Sequence, residues 1–293
     1  MSLDRLINVL VTITLIEMMV LIGLQVAFAQ PVRTVRNWRL VARAAIANYL
    51  LVPAVAIALL MALNTAPMVA AGFLVLAVCP GAPFGPPFAG IARADVPAAV
   101  GLMVILAGSS AIISPALLTV LLPWLSGGEA PRVDVVRMLS ALLVTQLLPL
   151  LLGLLVKHWS PRLAERLLGP LELLSKLLNL SAVGLILATQ FQMLAEIRMS
   201  GFAGMLALLA ASLVIGWLAG GPANDERRTM ALTTSLRNVG VGLVIVTGNF
   251  ADTPAVSAAL AYGIVEVLGS LIVALWWGSR YVRVRATIPP RND

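Results

Sequence analysis

The chain has 293 residues, of which 60% are hydrophobic and 11% are charged, and its formal net charge is +7. A soluble domain carries about a quarter charged residues, so this composition excludes a soluble globular protein and indicates a polytopic membrane protein. The single cysteine, Cys79, excludes an intrachain disulfide framework, and the single histidine, His158, excludes a histidine-based metal centre or catalytic triad.

Nine segments, each apolar along most of its length, follow one another along the chain. A transmembrane helix needs about 20 such residues. The predicted spans are about 6–29, 40–63, 68–92, 96–122, 135–156, 173–194, 202–220, 228–250 and 255–277. Pro53 is expected to kink the second span, because proline has no N–H to donate. The sequence thus predicts an all-α polytopic membrane protein with nine transmembrane helices in a single membrane domain, residues 1–293.

The basic residues define a topology for these spans. Of the 20 lysines and arginines, fifteen lie on one predicted side, four on the other, and Arg237 within the membrane. The fifteen are at positions 33, 36, 39, 43, 93, 157, 162, 166, 176, 227, 228, 280, 283, 285 and 291, and the four are at 5, 132, 137 and 198. Since basic loops stay in the cytoplasm, we predict a multi-pass protein of the cell inner (plasma) membrane, with its N-terminus outside and its C-terminus cytoplasmic. Basic loops of this kind contact lipid headgroups, so membrane lipid is an expected partner and nucleic acid is not.

The third span is interrupted. Its first part, Met68–Cys79, is about 18 Å long as a helix, against a hydrocarbon core of about 30 Å. The next eight residues, Pro80–Pro87, contain four prolines and two glycines, which cannot continue an α-helix. The span must resume at Phe88 to reach the basic loop at Arg93. The break is therefore predicted to lie inside the membrane.

The eighth span, Arg228–Phe250, carries polar residues at its middle, in the stretch Thr233–Gly240. A charge at membrane depth, here that of Arg237, costs about 3 kcal/mol on insertion scales unless it faces a partner or a wet cavity. Non-helical backbone is tolerated at that depth only in such places. The stretch predicts an interior polar site and a second interrupted helix.

The two breaks lie five spans apart, and an odd separation gives two repeat units opposite orientations in the bilayer. Inverted repeats with discontinuous crossing helices are a known transporter architecture. The ends of such half-helices offer free N–H and C=O groups and partial charges to ions or substrate. We therefore predict an inverted-repeat transporter, with packing kinks as the alternative explanation of the breaks.

The residues around both breaks resemble those of a known family. They are Ala77–Gly81 with Arg93–Val96, Ser114-Pro115, Arg228-Thr229 with Leu236–Gly240, and Gly269-Ser270. Over nearly its whole length the chain resembles the bile acid:sodium symporter family, within the bile/arsenite/riboflavin transporter superfamily. The resemblance implies a core domain, residues 40–124 and 202–279, that holds the crossed broken helices. It also implies a panel domain, residues 5–30 and 133–196, with substrate bound in the crevice between the two.

The chain departs from the sodium-using members of that family at two places. Those members have an acidic residue and a glutamine in the second broken helix, where this chain has Thr233 and Arg237. They have a serine and an asparagine in the first break, where it has Gly85 and Pro86. Arg237 brings a permanent charge of its own and would fill the place of a sodium ion. The resemblance then implies a carrier that is proton-coupled or uncoupled.

Glu266 in the last span is the expected partner of Arg237, because a paired charge at depth costs far less than two lone charges. The pair is either structural or functional. In the functional alternative Glu266 takes up a proton during the cycle and releases Arg237 to an anionic substrate. The predicted substrate-binding residues are Arg237, Asn238, Thr233, Thr234, Ser235, Glu266, Pro80, Gly81 and Pro86. No metal and no cofactor is expected.

These features predict a secondary transporter, not an enzyme, that moves a small anionic or amphipathic organic solute by alternating access. A passive facilitator or channel-like pore would share the polar midplane but show no coupling. A metalloid efflux carrier is a further alternative, because Cys79 before the first break resembles the thiol of arsenite carriers. A lone buried cysteine is, however, more often an inert small hydrophobe.

Overall fold

A computed structural model describes residues 3–27, 29–125, 135–195, 199–250 and 253–286. Its α-helices are α1 (Leu3–Gln25), α2 (Ala29–Arg36), α3 (Trp38–Ile46), α4 (Val52–Ala62), α5 (Pro67–Ala77), α6 (Gly85–Ile91), α7 (Val96–Leu125), α8 (Val135–Leu142), α9 (Leu148–Trp159), α10 (Pro161–Ala195), α11 (Met199–Ala219), α12 (Asn224–Ser235), α13 (Val239–Asn249) and α14 (Pro254–Ala286). Two π-helical turns, Ala47–Leu51 and Leu143–Leu147, join α3 to α4 and α8 to α9.

Within the described ranges, six helices are long and apolar enough to cross a membrane. They are Leu6–Gln25, Trp38–Ala62, Val96–Trp124, Met138–Trp159, Met199–Ala219 and Pro254–Arg280. The predicted sixth span lies within α10, and the two predicted broken spans are pairs of shorter helices. The all-α multi-pass fold is therefore confirmed, whereas the count of nine spans stays a prediction.

Both predicted interruptions are present in the fold. In the third span α5 ends at Ala77 and α6 begins at Gly85, and in the eighth span only residues 236–238 separate α12 from α13. The two breaks touch, because an antiparallel β-bridge joins Pro80 to Arg237. The crossing point of the two broken helices therefore lies where the sequence placed its polar residues.

Prolines inside two of the spans are accommodated by π-helical turns. The turn Ala47–Leu51 ends two residues before Pro53, and the turn Leu143–Leu147 ends two residues before Pro149. Proline cannot donate a main-chain hydrogen bond, and the wider π turn is a common adjustment at functional sites. The predicted kink at Pro53 thus takes the form of a π turn, and each turn holds a fully buried amide side chain, Asn48 or Gln146.

The helices can be described as two groups, each of which contains close contacts at glycines. The α1 group consists of α1, α8, α9 and α10, and in it a Cβ at Gly23 would lie 2.8 Å from the Cα of Gly153. The α5 group consists of α3 to α7 and α11 to α14. Its backbone contacts are Gly72 with Ala255, Gly216 with Ala231, Gly278 with Ile91 and Gly81 with Ala107. Small residues of this kind allow membrane helices to pack backbone against backbone.

Contacts of glycines between the two groups involve side chains only, as far as the described residues show. A Cβ at Gly240 of α13 would lie 3.3 Å from Cδ1 of Leu15 on α1, and one at Gly108 of α7 would lie 3.7 Å from Cδ1 of Leu147. Side chains can change rotamer, whereas a backbone contact cannot open without separating the helices. Glycines also meet side chains inside the α5 group, at Gly242 with Leu76 and at Gly269 with Leu209, but among the described residues their main-chain contacts occur only within a group.

Replacement of Gly153 by alanine tests the tightness of the α1 group. The added methyl would meet the main chain of Val20 and Gly23, and overpacking of this kind costs about 1–3 kcal/mol. We expect Gly153→Ala to lower the Tm of the purified protein, measured by tryptophan fluorescence. Gly184→Ala on α10 is the matched control, because nothing lies within 4 Å of its added Cβ. The control should leave the Tm unchanged or raise it, since alanine favours a helix by up to about 1 kcal/mol over glycine. Equal Tm values for the two variants would contradict the close contact.

Candidate functional site

The C-terminal ends of α5 and α12 come together at the crossing of the broken helices. Their last carbonyl groups have no partner within their own helices and carry partial negative charge. At the end of α5, the Val78 carbonyl accepts a hydrogen bond from the Ser114 hydroxyl at 2.6 Å. The Cys79 carbonyl accepts one from the main-chain N–H of Asn238 at 2.7 Å. Two converging ends of this kind create a place that favours a positive charge.

The guanidinium of Arg237 supplies that charge. It is fully buried, and its Nη1 donates to the carbonyl oxygen of Ala77, at the end of α5, at 3.3 Å. Its Nη2 donates to the carbonyl oxygen of Thr234, in the last turn of α12. One guanidinium therefore links the ends of both half-helices. Its rigid fork suits two acceptors in fixed positions better than a lysine ammonium would.

Glu266 contacts Arg237 in a different way from the expected ion pair. Oε1 of Glu266 accepts a hydrogen bond from the main-chain N–H of Arg237 at 2.8 Å. No nitrogen–oxygen distance of 4.0 Å or less joins the two side chains, both of which lie in the described part of the chain. The physical reason is the break itself: it leaves this N–H without a helical acceptor, while carbonyl oxygens occupy the guanidinium. The side-chain ion pair is not formed in this conformation.

Asn238 and Gly81 fasten the two breaks to each other. The Asn238 side chain accepts from the N–H of Val241 at 3.2 Å and so caps α13. Its Nδ2 donates to the Gly81 carbonyl at 3.4 Å. Gly81 has φ +90°, and a Cβ there would collide with the main chain of Ala107. Only glycine fits this position without strain.

The three hydroxyl residues before the second break hold the helix in place. Thr233 donates to the Thr229 carbonyl of its own helix at 2.9 Å. The Thr234 hydroxyl accepts from Nδ2 of Asn48 at 3.4 Å, and Ser235 shares a hydrogen bond of 2.9 Å with Ser270. All three residues are buried. In this conformation they face neighbouring helices.

The sequence prediction of the site missed Asn48 and did not include Gln146. Nε2 of Gln146 donates to the Ala107 carbonyl and, at 3.0 Å, to the Ser110 hydroxyl of α7. These bonds cross from the α1 group to the α5 group. An amide a few residues before a proline, Asn48 before Pro53 and Gln146 before Pro149, is the sequence signal that marks both.

Three cavities follow α1 along the boundary between the two groups. The apolar chamber has a volume of about 490 Å³ and lies between α1, α10, α13 and α14, with Val11, Leu15, Gly240 and Ile264 among its walls. The polar chamber, about 440 Å³, is named for Gln25, Glu172 and Lys176, although most of its wall is apolar and includes Pro86. The third pocket, about 200 Å³, includes Asn8, Thr12, Thr145 and Asn249.

The cavities together run across most of the membrane. From Asn8 in the third pocket to Gln25 in the polar chamber, α1 rises about 26 Å at 1.5 Å per residue, close to the bilayer core of about 30 Å. The apolar and polar chambers adjoin each other, because Met18, Pro83, Phe84 and Asn179 line both. The third pocket shares no lining residue with the apolar chamber. The packing of α1 against α13 separates them.

The predicted binding residues surround the crossing, but few of them reach a chamber. Pro86 lines the polar chamber, and Arg237 lies under the floor of the apolar chamber while itself fully buried. Asn238, Glu266, Thr233–Ser235 and Pro80-Gly81 contribute to neither chamber wall. Cys79 is also fully buried and lies against Ser114. The residues of the crossing thus support the chamber walls from behind.

The apolar chamber also opens sideways. Leu180 of α10 and Leu268 of α14 both line it, yet their side chains are 72% and 55% exposed on the outside of the helices. In a membrane, this outer surface faces the acyl chains. The gap between α10 and α14 therefore connects the chamber with the bilayer interior.

Comparison with known proteins gives two matches. The profile of the sodium bile acid symporter family matches residues 12–197, more than half of the chain. The match ends before α11, so the segment with Arg237 and Glu266 lies outside it. The probable sodium/metabolite cotransporter BASS2, chloroplastic, of Oryza sativa subsp. japonica is 26% identical over 280 residues, which are 92% of this chain and 64% of the rice protein. The chain thus spans just under two thirds of that relative's length.

Two asparagine caps allow the link between the breaks to be measured. Asn238 caps α13 and bonds to Gly81, whereas Asn37 only caps α3, accepting from the N–H of Leu40 at 3.3 Å. Loss of a cap costs about 1 kcal/mol, and a buried carbonyl left without a donor costs about 1–3 kcal/mol more. We expect Asn238→Ala to lower the Tm clearly more than Asn37→Ala does. A larger loss for Asn37→Ala would show that the Asn238–Gly81 bond adds nothing.

Proposed function

The chain belongs to the sodium bile acid symporter family, and from that premise we propose that it is a sodium-independent secondary transporter of a small organic solute. The observation that carries the proposal is the fully buried Arg237 guanidinium, bonded to the carbonyl ends of both broken helices. In this proposal the carrier alternates between two conformations that open the solute site to opposite sides of the membrane.

Electrostatics support the absence of a sodium ion beside Arg237. Two unit positive charges 4 Å apart repel by about 4 kcal/mol at an effective dielectric constant of 20, which would weaken sodium binding by roughly a thousandfold. The side-chain oxygens that would bind sodium and offset this repulsion are also absent at the positions that depart from the family pattern. Thr233 bonds to its own helix, and Gly85 and Pro86 have no side-chain oxygen. The guanidinium thus bonds to the carbonyl ends as a bound cation would, and it stays covalently attached to the protein.

The two helix groups support a division into two moving bodies. The α1 group corresponds to the proposed panel, residues 5–30 and 133–196, and the α5 group to the proposed core, residues 40–124 and 202–279. Backbone contacts at glycines bind each body internally, and side-chain contacts such as Leu15 on Gly240 join the two. Such a boundary can slide or rock while each body keeps its packing. Nine spans with inverted repeats in the core complete this architecture.

The chambers define the proposed solute class. The apolar chamber offers mainly hydrocarbon walls, while Lys176 and Glu172 are the charged side chains that line the adjoining polar chamber. Gln25 donates a hydrogen bond to Glu172 at 3.1 Å. An amphipathic solute would place its apolar body in the first and its polar head in the second, where Lys176 is the cation available to an anionic head. The surplus of basic residues at the Gln25 end of α1 supports a position of the polar chamber on the cytoplasmic side of the plasma membrane. The conformation described is then open to the cytoplasm and closed towards the third pocket.

Two other functions fit these contacts less well. A passive pore needs a continuous passage, but packing of α1 against α13 separates the apolar chamber from the third pocket. A metalloid carrier would need its thiol in the pathway, but Cys79 lines neither chamber. Alternating access by a carrier therefore explains the cavities best.

Transport by proteoliposomes tests the sodium independence. A thermal-shift screen of organic acids with apolar bodies first identifies a solute, and its uptake is then compared in sodium and in potassium buffers. We expect equal uptake rates in both. Sodium-stimulated uptake by the unmodified chain would overturn the proposed role of Arg237.

A set of substitutions separates the contribution of Arg237 from that of its neighbours. The triple variant Arg237→Gln, Gly85→Ser, Pro86→Asn removes the fixed charge and adds side-chain oxygens, but it has no acidic group to neutralise a metal ion. We expect sodium-stimulated uptake only when Thr233→Glu is added to these three. Sodium dependence in the triple variant would show that the acidic group is not required.

Cross-linking tests whether the two bodies must move. In a Cys79→Ala background, Leu15→Cys and Gly240→Cys place thiols on α1 and α13 where the two helices pack together. We expect a short bifunctional thiol reagent to abolish uptake in the double variant and to leave each single variant active. Full uptake after complete cross-linking would contradict alternating access at this boundary.

A further inference from the structure

Several buried polar atoms on the α14 side of the crossing form no hydrogen bond with the Arg237 guanidinium. Oε2 of Glu266 is fully buried and has no hydrogen-bond partner among the described residues. The hydroxyls of Tyr262 on α14 and Ser212 on α11 are also fully buried. They lie close to each other, but neither hydroxyl forms a hydrogen bond of acceptable geometry with any described residue. Buried polar atoms are nearly always satisfied, so this group calls for an explanation.

An ionised Glu266 fits these surroundings poorly. One oxygen accepts a single main-chain N–H, the other accepts nothing, and the guanidinium of Arg237 has turned to carbonyl oxygens. A buried carboxylate without a directly bonded counter-charge is strongly destabilising. A protonated carboxyl has an O–H to donate at Oε2. Tyr262 lies four residues before Glu266, on the same face of the helix, but no hydrogen bond joins its hydroxyl to Oε2 in this conformation. Burial without a partner costs far less for a neutral carboxyl group than for a carboxylate.

We propose that Glu266 binds the coupling proton of this transporter at Oε2, and that Arg237 changes partner when the proton leaves. With the proton bound, the guanidinium holds the carbonyl ends of α5 and α12, as seen here. Without it, the carboxylate draws the guanidinium away from Ala77 and Thr234, and the link between the two broken helices is lost. The charged and titratable groups facing Glu266 are Arg237 from the second break, Cys79 from the first and Tyr262 from its own helix.

The charge balance of this exchange is simple. One proton moves from water to Oε2 and later returns to water on the other side, and nothing is oxidised or reduced. The pair Arg237 and Glu266 carries +1 with the proton bound and zero without it. A monoanionic solute that binds to the protonated carrier brings the loaded site to zero as well. Both the loaded and the empty carrier then cross their conformational change without net charge, so transport of a monoanion is electroneutral.

This inference rests on the proposed function for its transport consequences, but the bound proton can be detected without any solute. Infrared difference spectra of the wild type against Glu266→Gln should contain the C=O stretch of a protonated carboxyl near neutral pH, shifted by exchange into D₂O. The band must persist in spectra of Glu17→Gln, because Glu17 on α1 is a second buried carboxyl group with no hydrogen-bond partner among the described residues. Absence of the band from the Glu266 difference spectrum would overturn the inference even if transport is found.

Uptake measurements complete the test with the solute found by the thermal-shift screen. In wild-type proteoliposomes we expect an imposed gradient of about one pH unit to drive uphill uptake of a monoanion up to about tenfold above its equilibrium level, because one proton enters with each anion. A potassium diffusion potential set with valinomycin should have no effect. Glu266→Gln should retain solute exchange between two loaded sides and lose the proton-driven accumulation, and Glu17→Gln should retain both.

The outcomes distinguish this inference from the proposed function. Uptake that ignores the proton gradient, or an unchanged accumulation by Glu266→Gln, would overturn the proton site while leaving a carrier. Absence of any solute transport together with a clear Glu266 band would overturn the proposed function and leave the bound proton standing. Glu266→Asp, which keeps a carboxyl one methylene shorter, should recover part of the accumulation if titration at this position is what matters.

Discussion

The bond between the Arg237 guanidinium and the carbonyl ends of α5 and α12 is the interaction on which the interior depends. Two helices that stop at membrane depth expose carbonyl groups that neither water nor lipid can satisfy there. A cation that bonds to both ends satisfies carbonyl groups of each and neutralises the converging helix dipoles. Because this cation is a side chain, the chain itself supplies the donor that these carbonyl groups need.

Packing within each of the two helix groups differs from packing at the boundary between them. Inside each group, glycines bring main chain against main chain, and the helices can separate only if the group comes apart. Between the groups the contacts are mostly those of side chains, with Gln146 as a polar bond from the α1 group to α7. Glycines thus pack the helices closely within each group, whereas larger side chains form the boundary between the groups. The chambers lie along that boundary.

The sequence alone predicted the all-α membrane fold and both interruptions, because proline clusters and intramembrane polar residues conflict strongly with a continuous helix in lipid. It also brought the right segments together, since Pro80 and Arg237 are bridged in the structure. It did not predict which groups Arg237 and Glu266 contact. That choice depends on which main-chain groups the breaks leave free, and residue types and spacing do not contain this information. The chamber walls were not predicted for a similar reason: the sequence does not distinguish apolar residues that line a cavity, such as Met18 and Leu15, from apolar residues of a packed core.

The sideways gap between α10 and α14 has a practical consequence for work with the purified protein. Alkyl tails of a detergent have the same approach to the apolar chamber as bilayer chains do, through the surface formed by Leu180 and Leu268. In a micelle, such tails compete with an amphipathic solute for the same hydrocarbon walls. Apparent affinities in micelles then depend on tail length and surfactant concentration, and nanodiscs of defined phospholipid are the appropriate medium for comparing solutes.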